Sequence, residues 1–364
     1  MPWDDLLGHV NAIDRFRRSI GRNRLASTYL FVGPPGVGKH TFAIKLAQAL
    51  LCQANPPEML EACGNCPSCQ QVAAETHPDL ILISKPTDKA FIPVETFIGD
   101  REHRRQTGLC HDIGLKPFMG GRKIAIIDDA DFLNQESANC LLKTLEEPPP
   151  NSLLILIGTS EQRQLSTIVS RSQIVRFSSL EASEVEQLLG RLATDGVETE
   201  VPAGELAAAS NGSIATAVRL SEIETFEFRQ QLLTYLAQLD PAWNEFTKTI
   251  TTFVDAAGKD AASKRARLTM VADLAIDFYR NGILAITGQT NPNLDPAMQN
   301  AVEQLVAGWG GREDHDTSAA ESLGRCIHRC GDLQQQVAAN VNQSVSVDAW
   351  LRDLNRLSRG ILAV

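Results

Sequence analysis

The sequence predicts an α/β domain on a parallel sheet, followed by a small helical domain and a larger all-helical one. Three observations carry this. Short, wholly apolar runs alternate with helical patterns over the first half of the chain. The strand-like runs stop after Phe177. From about Glu222 the pattern is helical, interrupted by a polar stretch at Thr287 to Pro296 that reads as a loop. Continuous apolar strands separated by helices imply a parallel sheet covered on both faces.

The elements follow in order. Thr28-Tyr29-Leu30-Phe31-Val32 reads as a buried strand, followed by a glycine turn and a helix from about Lys39 to Cys52. Further strands are expected at Asp79–Ile83, Lys123–Ile127, Leu153–Ile157 and Ile174–Phe177. A helix from Asn134 to Glu146 is stopped by Pro148-Pro149-Pro150, since proline cannot continue it. Leu180 to Leu192 and Ala203 to Leu220 read as short helices. The expected domains are 1–178, with a cysteine module at 52–69, then 179–221 and 222–364.

Composition limits the function. At 364 residues the chain is too long for one ordinary domain, and 43% hydrophobic residues suffice to build cores. No run of 18 apolar residues occurs, so no membrane span is expected. Met1 is followed by Pro2-Trp3-Asp4-Asp5 without a basic-then-apolar leader, so the cytoplasm is the expected compartment. Residues 1–180 hold 19 basic and 19 acidic side chains; residues 181–364 hold 15 and 25, accounting for the net −10. That balance excludes a globally basic DNA-coating protein and leaves nucleic-acid contact local or made through partners.

Gly33-Pro34-Pro35-Gly36-Val37-Gly38-Lys39 follows a strand and opens a helix, the context of a P-loop. Glycines 33, 36 and 38 let backbone N–H groups turn inward around phosphates, and Lys39 reaches the β- and γ-phosphates. The next position normally offers a hydroxyl to Mg²⁺. Here it is His40, expected to face solvent, and Thr41 lies about 100° further round the helix. The strand Ile124–Ile127 runs into Asp128-Asp129-Ala130-Asp131. Asp128 stands where an acid normally holds the Mg²⁺ shell. Asp129 stands where a glutamate normally polarises the attacking water, and is one methylene shorter. These acids could also simply solvate a strand end. ATP with Mg²⁺ is therefore a possible ligand, with the metal's placement impaired.

Cys63, Cys66 and Cys69 are spaced by two residues each, and Cys52 lies eleven residues earlier. Four thiolates suit a closed, tetrahedral structural zinc site. An iron–sulfur cluster, or four free cysteines, are the other readings. His77 reads as a loop residue rather than a ligand. Cys326 and Cys330, Trp243, Trp309 and Trp350 read as helix packing, and Lys264-Arg265-Ala266-Arg267 as a solvated helix face.

The chain resembles the delta-prime family of the bacterial DNA polymerase III clamp loader, within the AAA+ superfamily. The resemblance is carried by Arg24-Leu25-Ala26 before Tyr29-Leu30-Phe31, the P-loop, the four cysteines, Leu115-Lys116-Pro117, and Ile126 to Asp131. It continues in Asn139-Cys140-Leu141-Leu142-Lys143-Thr144-Leu145-Glu146-Glu147-Pro148-Pro149 and Ser170-Arg171-Ser172. It is specific over residues 1–180, fair to about 220 and weak beyond, where Asn340-Val341-Asn342 before an amphipathic segment is the familiar feature.

The resemblance implies an AAA+ core, a helical lid and a helical collar that joins five subunits in a ring. It implies partners of the gamma/tau and delta types, a sliding clamp opened on ATP binding, and primer-template DNA met mainly through the complex. It does not imply that this chain polymerises DNA. It places a γ-phosphate sensor at Thr159, with Ser160 an equal occupant of that slot. It also makes Arg171 the arginine that reaches a neighbouring subunit's ATP, worth about 10³–10⁵ in rate in comparable NTPases. A surface ion pair is the plainer reading of Arg171. Motor subunits of the same ring carry an arginine in the lid where this chain has Ala215 after Asn211-Gly212-Ser213-Ile214, and Arg219 lies about 6 Å further along the helix axis. They have Ser-Arg-Cys where this chain has Ser170-Arg171-Ser172. With His40, Asp129 and Ala215 altered and Arg171 kept, the expectation is a rigid subunit, weak or inactive as an ATPase, that supplies Arg171 in trans. The alternative is an active gamma/tau-like motor subunit, supported by Lys39 and Asp128.

Overall fold

The computed structural model describes all residues except 1, 2, 4, 5, 87, 88, 105, 120, 239, 240, 290, 292, 293, 310–314, 340 and 359–364, and no side chains at 309, 315–318 and 358. Asn340, the Trp309 side chain and parts of the Thr287 to Pro296 loop therefore lie outside the described residues. The chain divides into two compact units: Met1–Asp195 with Gly212–Thr216, and Gly196–Asn211 with Ala217–Val364.

The first unit holds a five-stranded parallel sheet: β1 (Thr28–Val32), β2 (Leu80–Ile83), β3 (Lys123–Ile127), β4 (Ser152–Gly158) and β5 (Gln173–Arg176), in the order β2-β3-β4-β1-β5. This is the parallel sheet that the sequence predicts. β1, β3 and β4 are buried along their whole length, which is why they read as unbroken apolar runs rather than alternating ones. Phe16, Phe31, Phe42 and Phe177 pack on one face with ring centroids 5.1–6.1 Å apart. Leu30, Leu154, Leu156, Ala138 and Leu141 fill the other face.

Helix α1 (Val10–Gly21) covers the sheet with Ile13, Phe16 and Ile20, and its Arg15 Nη1 donates to the Ile174 carbonyl of edge strand β5 at 2.7 Å. Helix α2 (Lys39–Leu50) leaves the P-loop directly. The short α3 (Pro67–Ala73) carries Cys69. The helix Gln135–Glu146 starts on an Asn134 cap, whose side chain accepts from Ser137 N at 2.8 Å.

The run Ala203 to Leu220, expected as one helix, is two: Ala203–Ala209 and Ile214–Arg219. Asn211 and Gly212 between them take φ of 51° and 75°, a left-handed turn that a continuous helix cannot contain. Gly212 fits because a side chain there would run into the Leu180 backbone.

Among the described residues the second unit is helical and has no strand, with Trp350, Phe246, Phe278, Leu305 and Leu333 in one core, together with Cys326 and Cys330. Arg229 and Asp295 form a buried ion pair, Arg229 Nη1 donating to Asp295 Oδ1 at 3.2 Å. Arg267 departs from the solvated face expected of it. Its guanidinium lies 4.7 Å over the Phe253 ring, donates to the Phe253 carbonyl at 2.7 Å and to Glu224 at 3.3 Å. Its aliphatic stem and flat head let a charged residue seal an aromatic. Among the described residues no helix is long and apolar enough to cross a membrane.

Candidate nucleotide and metal sites

Strand order creates the nucleotide-type site. β4 stands between β1 and β3, so the segments leaving these three strands lie side by side. Gly33 N donates to the Thr159 carbonyl at 3.2 Å, tying the P-loop to the end of β4. Gly36, at φ 74°, packs so closely on Ser213 and Ala215 that a side chain there would strike both. The segment containing Ala215 thus sits on the P-loop, presenting a methyl group. Arg219 pairs with Asp273 at 3.2 Å.

Lys39 Nζ donates to the carbonyls of Gly33 (2.7 Å) and Pro34 (2.6 Å), its own loop. Burial lowers its pKa to about 8 against the opposing pull of Asp128 and Asp131. His40 does not simply face solvent. Its Nδ1–H donates to Asp128 Oδ2 at 2.9 Å, and its Nε2 lies 3.7 Å from Glu75. The hydrogen bond to Asp128 raises the His40 pKa, although partial burial opposes it. Asp128 is held below the usual carboxylate range: burial would raise it, but His40, the Asp129 N–H and Lys39 outweigh that.

Asp129 occupies a left-handed conformation and accepts from Lys85 N at 3.3 Å, beside the end of β2. Burial, then repulsion from Asp128, raises its pKa. Thr41 is exposed and lines a groove of about 530 Å³ with Ala62, Cys63 and Glu75. These residues do not fit an Mg²⁺–nucleotide: no hydroxyl stands at position 40, and the imidazole there already holds Asp128.

Asp131 is the residue whose role the sequence did not disclose. Only 4% of its side chain is exposed. It accepts from Thr159 N (3.0 Å), from Thr159 Oγ1 (2.6 Å) and from Gln164 Nε2. A threonine hydroxyl has one proton, and here Asp131 takes it. Thr159 is therefore left with lone pairs, which repel a phosphate oxygen rather than bind it. An acid two residues past the strand-end pair was visible, but its partners lie 28 and 33 residues away in sequence.

Arg171 lies elsewhere. It precedes β5, at the N-terminal edge of the sheet, whereas the P-loop leaves the C-terminal end of β1, parallel to β5. Its Nε and Nη2 donate to Glu146 Oε1 (3.0 and 2.6 Å), and its Nη1 to Thr167 O (3.1 Å) and Ser170 Oγ (3.0 Å).

The four thiol sulfurs of Cys52, Cys63, Cys66 and Cys69 all lie within 4.8 Å of one another. Cys52 Sγ accepts from Asn55 N (3.3 Å) and Cys63 N (3.4 Å), Cys63 Sγ from Cys66 N (3.3 Å), and Cys66 Sγ from Cys69 N (3.4 Å). Backbone N–H groups aimed at sulfur favour the thiolate. Burial alone would raise Cys66, but the donated N–H groups of Cys69 and Gln53 bring it down to about 6. Burial raises Cys69. Such a cluster can hold a metal ion. It is bonded to the P-loop helix: Cys52 follows α2 by two residues, Gln48 Nε2 donates to the Cys69 carbonyl at 2.9 Å, and Ser68 Oγ donates to Leu51 O at 2.6 Å. His77, a buried loop residue outside the cluster, backs Ser68 at 2.9 Å.

Residues 8–181 match the family model described as DNA polymerase III, delta subunit. The chain resembles the DNA polymerase III delta-prime subunits. It is 35% identical to DNA polymerase III subunit delta-prime of Pseudomonas aeruginosa over 58% of this chain and 61% of that one. It is 33% identical to subunit delta-prime of Bacillus subtilis over 57% of each. The similarity to subunit tau/gamma of Haemophilus influenzae is 31% over 60% of this chain and 30% of that one. The chain spans about three fifths of the length of these two delta-prime relatives.

Proposed function

We propose that this chain is a delta-prime-type subunit of a clamp loader, helping to load a sliding clamp on primer-template DNA in the cytoplasm. In this reading it is a rigid member of a pentameric ring with gamma/tau- and delta-type subunits, hydrolyses ATP weakly or not at all, and lends Arg171 to a neighbour's ATP site. The carrying observation is the polarity of the sheet. Arg171 and the P-loop lie at opposite ends of parallel β1 and β5, a strand length of about 13 Å apart. Arg171 thus faces away from its own P-loop and suits a site on another subunit.

The local chemistry supports the weak-ATPase half. His40 and Asp128 bind each other, the Thr159 proton is held by Asp131, and Ala215 offers no charge. A motor subunit needs all three positions free to act on nucleotide, so the gamma/tau-like alternative has less support. Cys52, Cys63, Cys66 and Cys69 would hold a Zn²⁺ ion, which supplies structural cross-linking and no open coordination position.

The test is DNA- and clamp-stimulated ATPase of the reconstituted complex with Arg171→Ala in this subunit, with assembly checked by gel filtration. A partial fall is expected, since one site of the ring loses its arginine. Unchanged turnover in a correctly assembled complex would remove the finger from the proposal.

A further inference from the structure

We infer that Glu146 is a positioning residue for Arg171, an inference that rests on the trans-arginine reading above. Glu146 Oε1 receives two donors from one guanidinium, at 3.0 and 2.6 Å, along its Nε–Nη2 edge. Thr167 O and Ser170 Oγ hold Nη1. Four of the five guanidinium donors are thereby engaged, leaving one on Nη2 for an incoming oxygen. A flexible side chain has become a fixed one, with its charge carried to the edge of the sheet.

The pair makes little sense as a stabilising element. Half of the Glu146 side chain is exposed, and exposed ion pairs contribute little to folding. Glu146 is also the last residue of its helix, where the negative end of the helix dipole disfavours an acid. Its carboxylate sits there against the local electrostatic preference, and Arg171 is the group it serves.

In the ring, Glu146 orients the guanidinium before the neighbour's nucleotide arrives, so less ordering is required when the transition state forms. Its removal should affect turnover rather than nucleotide binding, because Glu146 itself touches no nucleotide.

The experiment compares Glu146→Ala, Glu146→Gln, Arg171→Ala and the Glu146→Ala/Arg171→Ala double variant in the reconstituted complex, reading kcat and KM for ATP. The finger-dependent part of turnover is the difference between wild type and Arg171→Ala. Glu146→Ala should lower that part by about tenfold at unchanged KM, the order expected for a modest misplacement. Glu146→Gln, which keeps the shape and the acceptor, should restore much of it. The double variant should match Arg171→Ala alone. An effect of Glu146→Ala that persists in the Arg171→Ala background, or a rise in KM alone, overturns the inference. Wild-type turnover in Glu146→Ala beside an impaired Arg171→Ala overturns it while leaving the finger intact. No effect of Arg171→Ala overturns the finger and this inference with it.

Discussion

His40 Nδ1 donates to Asp128 Oδ2 across 2.9 Å, joining the first turn of α2 to the end of β3. The bond occupies the one carboxylate of the nucleotide-type site that sequence reasoning assigns to a metal. The isolated chain should therefore turn over ATP far below the range of about 1–10³ s⁻¹ usual for enzymes. His40→Thr frees Asp128 and supplies a hydroxyl. It should raise Mg²⁺-dependent nucleotide affinity, read by titration calorimetry of the purified chain. Equal affinity in both proteins would show that His40 is not what blocks the metal.

About one zinc per chain is expected in protein purified without chelator, measured by elemental analysis. Cys63→Ser should lose the metal and loosen the segment 52–77, seen as faster amide exchange around Ser68 and His77. Native protein with no metal and four freely titrating thiols in this cluster would be the contrary result.

Stability should fall as the solution is acidified below pH 6.5. His9 and His77 are both buried, and burial lowers the pKa of each from 6.5, against the Val37 carbonyl bond of His9 and the Asp79 charge near His77. The unfolded chain then takes up protons that the folded chain refuses. The loss therefore begins near pH 6.5 and ends only below the lowered folded values. Urea midpoints at several pH values measure it, and His77→Gln should flatten the slope even if it costs some stability. A slope untouched by His77→Gln would contradict the assignment.

The buried pair in the helical unit predicts an asymmetric mutational response. Arg229→Met leaves Asp295 buried without its guanidinium, with the Ala297 and Met298 N–H groups as its remaining partners among the described residues, and should destabilise by about 3–5 kcal/mol. Adding Asp295→Asn should recover part of that, because an amide carries no charge to strand. Denaturant unfolding followed by circular dichroism gives both values.

Local features of the fold were readable in the chain. The strands announce themselves as unbroken apolar runs because both faces of the sheet are covered. The cysteine spacing and the Gly-Lys loop are short-range patterns that survive without knowledge of tertiary structure. What could not be read depends on strand order. His40 meets Asp128 across 88 positions, Arg171 meets Glu146 across 25, and the Thr159 hydroxyl donates to Asp131 across 28. No periodicity encodes such pairs. The broken helix at Asn211-Gly212 was legible as a turn-forming dipeptide, but the apolar pattern on either side masked it.

The contact between Arg15 and the Ile174 carbonyl has a consequence for solubility. β5 is an edge strand, and an unpaired edge templates the hydrogen-bonded addition of a strand from another chain. A guanidinium seated on that backbone removes an acceptor from the row and sets a positive charge where a second strand would have to lie. The sheet thus ends in a charge rather than in an open ladder.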